Sequence, residues 1–213
     1  MKTLFGDRQK CYKCYRPVSS CMCKEIFAID TNTKFIILMH PKEFKKVKNG
    51  TGHLTHLSLN NSNMFVGVDF TNHNAINEII ETHQSYVLYP SLKAINISNE
   101  KPNTDKDMAI FIIDSTWSCS IAMLRESKNL QALPYISFNS TKLSKFKIKQ
   151  QPEDYCLSTI ESTLSVLELL NEYGIENIDN KNIINFLNPF EKMIDYQLKY
   201  VNSPSNSVRF KSN

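Results

Sequence analysis

Four of the six cysteines fall within thirteen residues, in CYKCYRPVSSCMC: Cys11, Cys14, Cys21 and Cys23, spaced C-x2-C-x6-C-x-C. Two close pairs joined by a turn rich in Pro17, Ser19 and Ser20 can wrap a tetrahedral zinc site. Four thiolates fill the coordination shell and leave no position for water, so such a site is structural. The segment is too short to bury a core, and the metal would supply its folding energy. Disulfides fit poorly, because the polar start MKTLFGDRQKC has no apolar h-region and predicts no secretory signal. The competing reading is a set of reduced, unligated thiols. Cys119 and Cys156 stand alone and are expected to be buried packing residues.

A second constellation lies in IIDSTWSCSIAML (112–124), where an apolar run ends in Asp114, Ser115, Thr116 and the chain's single tryptophan, Trp117. Asp114 can accept a proton, or cap the helix that the following pattern predicts. Trp117 can stack on a flat base, or fill the space between helix and sheet. Thr116 can bond a ligand or assist the cap. In LSTIES (157–162), Ser158 and Glu161 have the spacing of a capping box, and the amides of such a helix start can also hold a carboxylate. Lysines cluster in KEFKKVK (42–48) and KLSKFKIK (142–149), and the N-terminal piece carries Arg8, Lys10, Lys13 and Arg16. Local patches of this kind suit phosphate, or are simply solvated loops.

The elements that must position these groups follow from pattern. With 213 residues, 41% hydrophobic, 22% charged and a net charge of +4, the chain reads as a globular protein with one good core, or a core plus a small appendage. No run approaches the length of a membrane helix, and a cytoplasmic home is the default expectation. Strands are predicted at 33–39, 64–68, 85–89, 108–114 and 135–138. Helices are predicted from near 49 to about 61, at 74–83, at 118–127, from Ser158 onward, and at about 180–200. The stretch 97–107 reads as a surface loop, and 201–213 as a loosely ordered tail. Continuous apolar strands between helices argue for a parallel sheet covered on both faces. Ligands of such sheets bind at the carboxyl ends of strands, where His40 and Pro41, Tyr89 to Ser91, and Asp114 to Trp117 fall. No G-x-G-x-x-G or G-x4-G-K-[ST] is present, so neither dinucleotide nor P-loop binding is signalled.

Taken in order, CYKCYRPVSSCMC, HPKEFKKVKNGTGHLTHLSLNNS, YPS, DSTW, LPYISF and LSTIES resemble the DTW-domain family over nearly the whole chain. The resemblance implies a SPOUT-like α/β fold: a mostly parallel sheet with helices on both faces, a C-terminal trefoil knot and a small N-terminal four-cysteine zinc knuckle. It divides the chain into a knuckle (1–30), a catalytic domain (31–200) and the tail. The implied activity moves the 3-amino-3-carboxypropyl group of S-adenosylmethionine to N3 of a tRNA uridine, giving acp3U and methylthioadenosine. The alternatives are an RNA methyltransferase on the same scaffold, or a zinc-containing RNA-binding module without catalysis. Asp114, Thr116 and Trp117 are the implied catalytic residues. Tyr89, Pro90, Ser91, Asp114, Ser115, Leu133 and Ile136, with Ser158 and Thr159, are expected around S-adenosylmethionine. Lys13, Arg16, Lys42, Lys45, Lys46, Lys48, Lys145, Lys147 and Lys149 are expected along the tRNA backbone. Oligomeric state is left open, although knotted relatives often form homodimers. Ser115 stands where the family usually has Gly, so a requirement for positive φ there would cost about 1 kcal/mol. FKIKQQP replaces an arginine-rich Y-R-x-R, keeping charge but losing the bidentate fork.

Overall fold

The continuous apolar runs become a six-stranded, all-parallel sheet in a computed structural model that describes residues 9–45, 50–140, 144–145 and 156–201. Its strands are β1 (Lys34–Met39), β2 (Ser62–Val66), β3 (Gln84–Leu88), β4 (Ile95–Asn96), β5 (Met108–Asp114) and β6 (Tyr135–Ser137), in the order β2-β1-β5-β3-β6-β4. The central strands are buried on both faces, and their side chains divide by the two-residue period of a strand. Phe35, Ile37, Tyr86, Ile110 and Ile112 enter one core. There they meet Ile160, Leu164, Leu167 and Leu170 of α6 (Thr159–Glu172) and Phe190 and Met193 of α8 (Asn188–Val201). Ile36, Leu38, Val87, Ala109 and Phe111 face the other way, onto Ile76 of α3 (Asn74–Thr82), Met123 of α4 (Trp117–Glu126) and Leu130 of α5 (Lys128–Gln131).

The predicted strands and helices appear with small shifts. The segment expected as a helix from near 49 is shorter, α2 (Gly52–Leu57), preceded by the single turn α1 (Pro41–Phe44) that the His40 side chain caps by accepting from Lys42 N. β4 has only two residues and gave no periodic signal. The last helix is two: α7 (Asn180–Asn185), capped by Asp179, and α8. Pro189 lies in the first turn of α8, where its missing N–H needs no partner. Glu176, buried just beyond α6, accepts from the amides of Asn32 and Thr33 (2.8 and 2.7 Å) and anchors the entry to β1. No described helix is long and apolar enough to cross a membrane.

The knuckle shares this core. Met22, between its last two cysteines, is 3% exposed among Phe35, Leu59 and Met193. Lys46, Lys48, Lys147, Lys149 and the tail 202–213 lie outside the described residues.

Candidate functional site at the strand ends

Because every strand runs the same way, the carboxyl ends of β1, β5, β3 and β6 stand side by side. Met39 pairs with Asp114, and Leu88 lies between Ile112 and Ile136. Beyond them opens a cavity of about 700 Å³. Its lining includes Leu88, Ile112 and Phe138 as apolar surface, with Asp114, Ser115, Thr116, Thr159 and Ser162 as polar groups. The volume suits a nucleoside-sized ligand together with part of a second reactant.

Asp114 ends β5 and is 7% exposed. Its Oδ1 accepts a 2.6 Å bond from Thr159 Oγ1, the first residue of α6, and its carbonyl accepts from the His40 amide. On the Oδ2 side lies Gly52, where a Cβ would overlap that oxygen and come within 2.7 Å of Asp114 Cγ and 2.8 Å of Met39 Cε. Only glycine lets the backbone of α2 approach the carboxylate this closely. Asp114 is therefore bonded across to α6; the N-cap position of α4 is Thr116, whose side chain makes no cap bond. Among described residues the only non-glycine with positive φ is Tyr15, so Ser115 sits without the backbone strain its replacement of Gly raised. Ser115 Oγ donates to the Thr116 carbonyl at 3.1 Å.

Trp117 opens α4 and is 45% exposed, so its ring is not core filling. It meets Tyr89 edge-on at 6.0 Å between centroids, and Tyr89 meets Tyr135 at 6.4 Å, forming an aromatic rim. The capping box of α6 is formed: Glu161 accepts from the Ser158 amide and hydroxyl (2.9 and 2.6 Å). The same buried carboxylate holds Ser144 Oγ and the Lys145 amide (2.9 and 2.7 Å), tying the entering chain to the helix.

The structure thus gathers Tyr89, Pro90, Asp114, Ser115, Thr116, Trp117, Ser158 and Thr159 at one cavity. Three expected cofactor residues are not in its lining. Ser91 is exposed in the loop after β3, Leu133 packs against the second core, and Ile136 is fully buried in the first. The lining falls instead to 137–140, the last residue of β6 and the three that follow it. Cys156 is half-buried at the cavity and Cys119 half-buried on α4, so neither is the fully buried packing residue expected. Gly50 and Thr51 also line the cavity without having been singled out. A signal existed: two of the chain's five glycines fall in the four residues NGTG.

At the knuckle the four sulfurs lie within 4.8 Å of one another, with Cys11–Cys23 and Cys14–Cys21 each at 3.7 Å. A tetrahedral zinc with bonds of about 2.3 Å has sulfur–sulfur edges of about 3.8 Å, so the donor set fits the metal in kind and spacing. The amides of Cys14 and Lys13 pull the Cys11 thiol down to about 6, as metal-binding turns do, while burial pushes Cys21 and Cys23 up. Tyr15 takes φ 57° directly after Cys14, and its ring packs on His53 (5.3 Å) and Phe44 (6.0 Å).

The basic residues separate. Lys13, Lys42 and Lys45 are exposed. Lys145 is exposed but ion-paired to Glu191 at 2.6 Å. Arg16 departs from the expected surface position: it is 3% exposed, and Nη2 donates to the Gly50 carbonyl (3.2 Å) and to Met193 Sδ (3.1 Å). Burial lowers its pKa, and Cys14, Cys21 and Cys23 as thiolates oppose that.

Fold and site together define an all-parallel α/β protein with a strand-end cavity built around a fixed carboxylate, carrying a four-cysteine knuckle. The DTW domain profile matches residues 8–198, and the chain belongs to the DTW-domain family. Its relatives include tRNA-uridine aminocarboxypropyltransferase 2 of Drosophila melanogaster, 29% identical over 76% of this chain and 67% of that protein. The proteins of the same name from Macaca fascicularis and Mus musculus are 25% and 23% identical, over 91% of this chain and 65% of each. The chain thus spans about two thirds of the length of these curated relatives. No solved structure matches it at a significant level.

Proposed function

We propose that this chain transfers the 3-amino-3-carboxypropyl group of S-adenosylmethionine to N3 of a tRNA uridine, yielding acp3U and methylthioadenosine. The observation that carries the reading is Asp114, a buried carboxylate held between Thr159 and Gly52 at the wall of the cavity, in a chain of this family. S-adenosylmethionine supplies a sulfonium whose γ-carbon is open to a nucleophile. The cavity must accept this ligand and a flipped base together, and its apolar surface from Leu88, Ile112 and Phe138 suits an adenosine.

Uridine N3 must lose its proton to attack. The N3–Cγ bond forms as the Cγ–S bond breaks, the sulfur recovers its lone pair, and the N3 proton passes to Asp114 or through it to water. Thr159 fixes the direction of the carboxylate, and orientation is the main requirement when three carbons flank one sulfonium. Trp117 and Tyr89 at the rim provide an aromatic surface for the uracil. In this reading the body is a knotted, SPOUT-like fold, the knuckle holds structural zinc, and Lys13, Lys42, Lys45 and Lys145, with Lys46, Lys48, Lys147 and Lys149, face the tRNA backbone. The protein works in the cytoplasm, as a monomer or homodimer.

The test is direct. Purified protein, unmodified tRNA and S-adenosylmethionine should give acp3U on nucleoside digestion, with methylthioadenosine released only when tRNA is present. A methylated uridine with S-adenosylhomocysteine would make it a methyltransferase. tRNA binding without binding of S-adenosylmethionine would leave an RNA-binding module. Asp114→Asn should abolish turnover while S-adenosylmethionine binding persists; full activity in that variant rules out the base.

A further inference from the structure

The knuckle reaches inward to the cavity wall. Arg16, in the turn between the cysteine pairs, spends its guanidinium on the Gly50 carbonyl and on Met193 of α8, away from solvent. Beside it, Tyr15 lies on His53 and Phe44. Gly50 and Thr51 line the cavity, and Gly52 packs directly against the Asp114 carboxylate. Only Thr51 therefore separates the residue whose carbonyl Arg16 grips from the backbone pressed on Asp114.

We propose that Arg16 is a positioning residue. It clamps the segment 50–52 to the four-cysteine centre and so fixes the wall that holds Asp114. Two physical arguments carry this. A buried guanidinium needs counter-charge. A divalent ion held by four thiolates leaves the centre doubly negative, which gives Arg16 a reason to be there that RNA does not supply. Further, Gly52 leaves no slack: a wall packed this closely on Cγ transmits small shifts to the carboxylate, and misplacement of about 1 Å in a reacting group costs roughly a hundredfold in rate. The kinetic part of this inference rests on the proposed transfer activity; the conformational part does not.

The experiment compares Arg16→Lys and Arg16→Met with wild type in the full chain. Bound zinc, tRNA affinity over a salt series, kcat and KM, and acrylamide quenching of the single tryptophan, Trp117, are measured. Lysine keeps the counter-charge but loses the fork. A positioning role gives retained zinc in Arg16→Lys, unchanged tRNA affinity and salt slope, kcat lower by roughly tenfold to a hundredfold, and altered quenching of Trp117. Gly52→Ala should show the same signature, and the double variant should be no worse than the weaker single, because both act on one segment. A salt slope reduced by about one with kcat intact would mean a phosphate contact and overturn the proposal. So would unchanged kcat and quenching in zinc-loaded Arg16→Lys, or loss of zinc from both variants, which would confine Arg16 to the metal. Should wild type transfer nothing, the proposed function fails, and quenching of Trp117 in Arg16→Lys alone decides the positioning role.

Discussion

At the scale of single residues the site turns on how Asp114 is held. The hydroxyl of Thr159 gives Oδ1 a short bond, and that bond fixes the plane of the carboxylate. Thr159→Val keeps the shape and removes the donor, while Thr159→Ser keeps the donor. The valine variant should lose roughly tenfold or more in kcat and about 1 kcal/mol of stability, with the serine variant close to wild type in both. Steady-state kinetics and urea denaturation read the two effects; equal kcat in the two variants would show that the bond is structural only. Trp117 makes the opposite case. With 45% of its surface exposed, Trp117→Ala should cost under about 1 kcal/mol of folding stability while weakening tRNA-dependent turnover severalfold. Sequence alone left both residues with two meanings. A strand followed by D-S-T-W marks a junction, but the hydroxyl that bonds the Asp114 carboxylate is 45 residues away, and no local pattern encodes that contact.

At the scale of elements, β1 and β5 were legible as continuous apolar runs of six and seven residues, and α6 because its apolar residues recur at helical spacing. β4, with two residues, and the break between α7 and α8 were not, since tertiary pairing makes the first and a single proline marks the second. The least legible functional element is α2. Its GHLTHL pattern carries no sign that Gly52 meets a carboxylate or that His53 is buried. That burial has a measurable consequence. His53, 3% exposed and packed by Tyr15 and Phe44, has its pKa lowered by desolvation first, then by Arg16 and His56; burial lowers that of His56 as well. The unfolded chain takes up the His53 proton near pH 6.5, whereas the native state refuses it until lower pH. Stability from this group is thus full above about pH 6.5 and declines on acidification below it. With zinc held saturating, His53→Phe should show a shallower loss of unfolding free energy between about pH 6.5 and about pH 5.5 than wild type; parallel curves would mean that His53 titrates normally.

At the scale of the whole molecule, the cysteine spacing identified the knuckle, yet nothing in it told whether the knuckle stands apart. Met22 in the main core, Arg16 against α8 and Tyr15 against α2 make it one body with the sheet. An appended module and an integrated one behave differently when the metal is removed. Zinc bound to the native state alone adds stability by mass action. If residues 1–30 folded separately, a chelator would abolish an early transition and leave the main one in place. Because the knuckle shares its core and its buried cation with the cavity wall, chelation should instead lower the midpoint of one cooperative transition. Cys14→Ser, at the fully buried cysteine of the four, should do the same without chelator. A thermal scan followed both by far-UV circular dichroism and by Trp117 emission, with and without chelator, checks this. Coincident curves shifting together by several degrees are expected, and a main transition unmoved by loss of zinc would separate the knuckle from the fold.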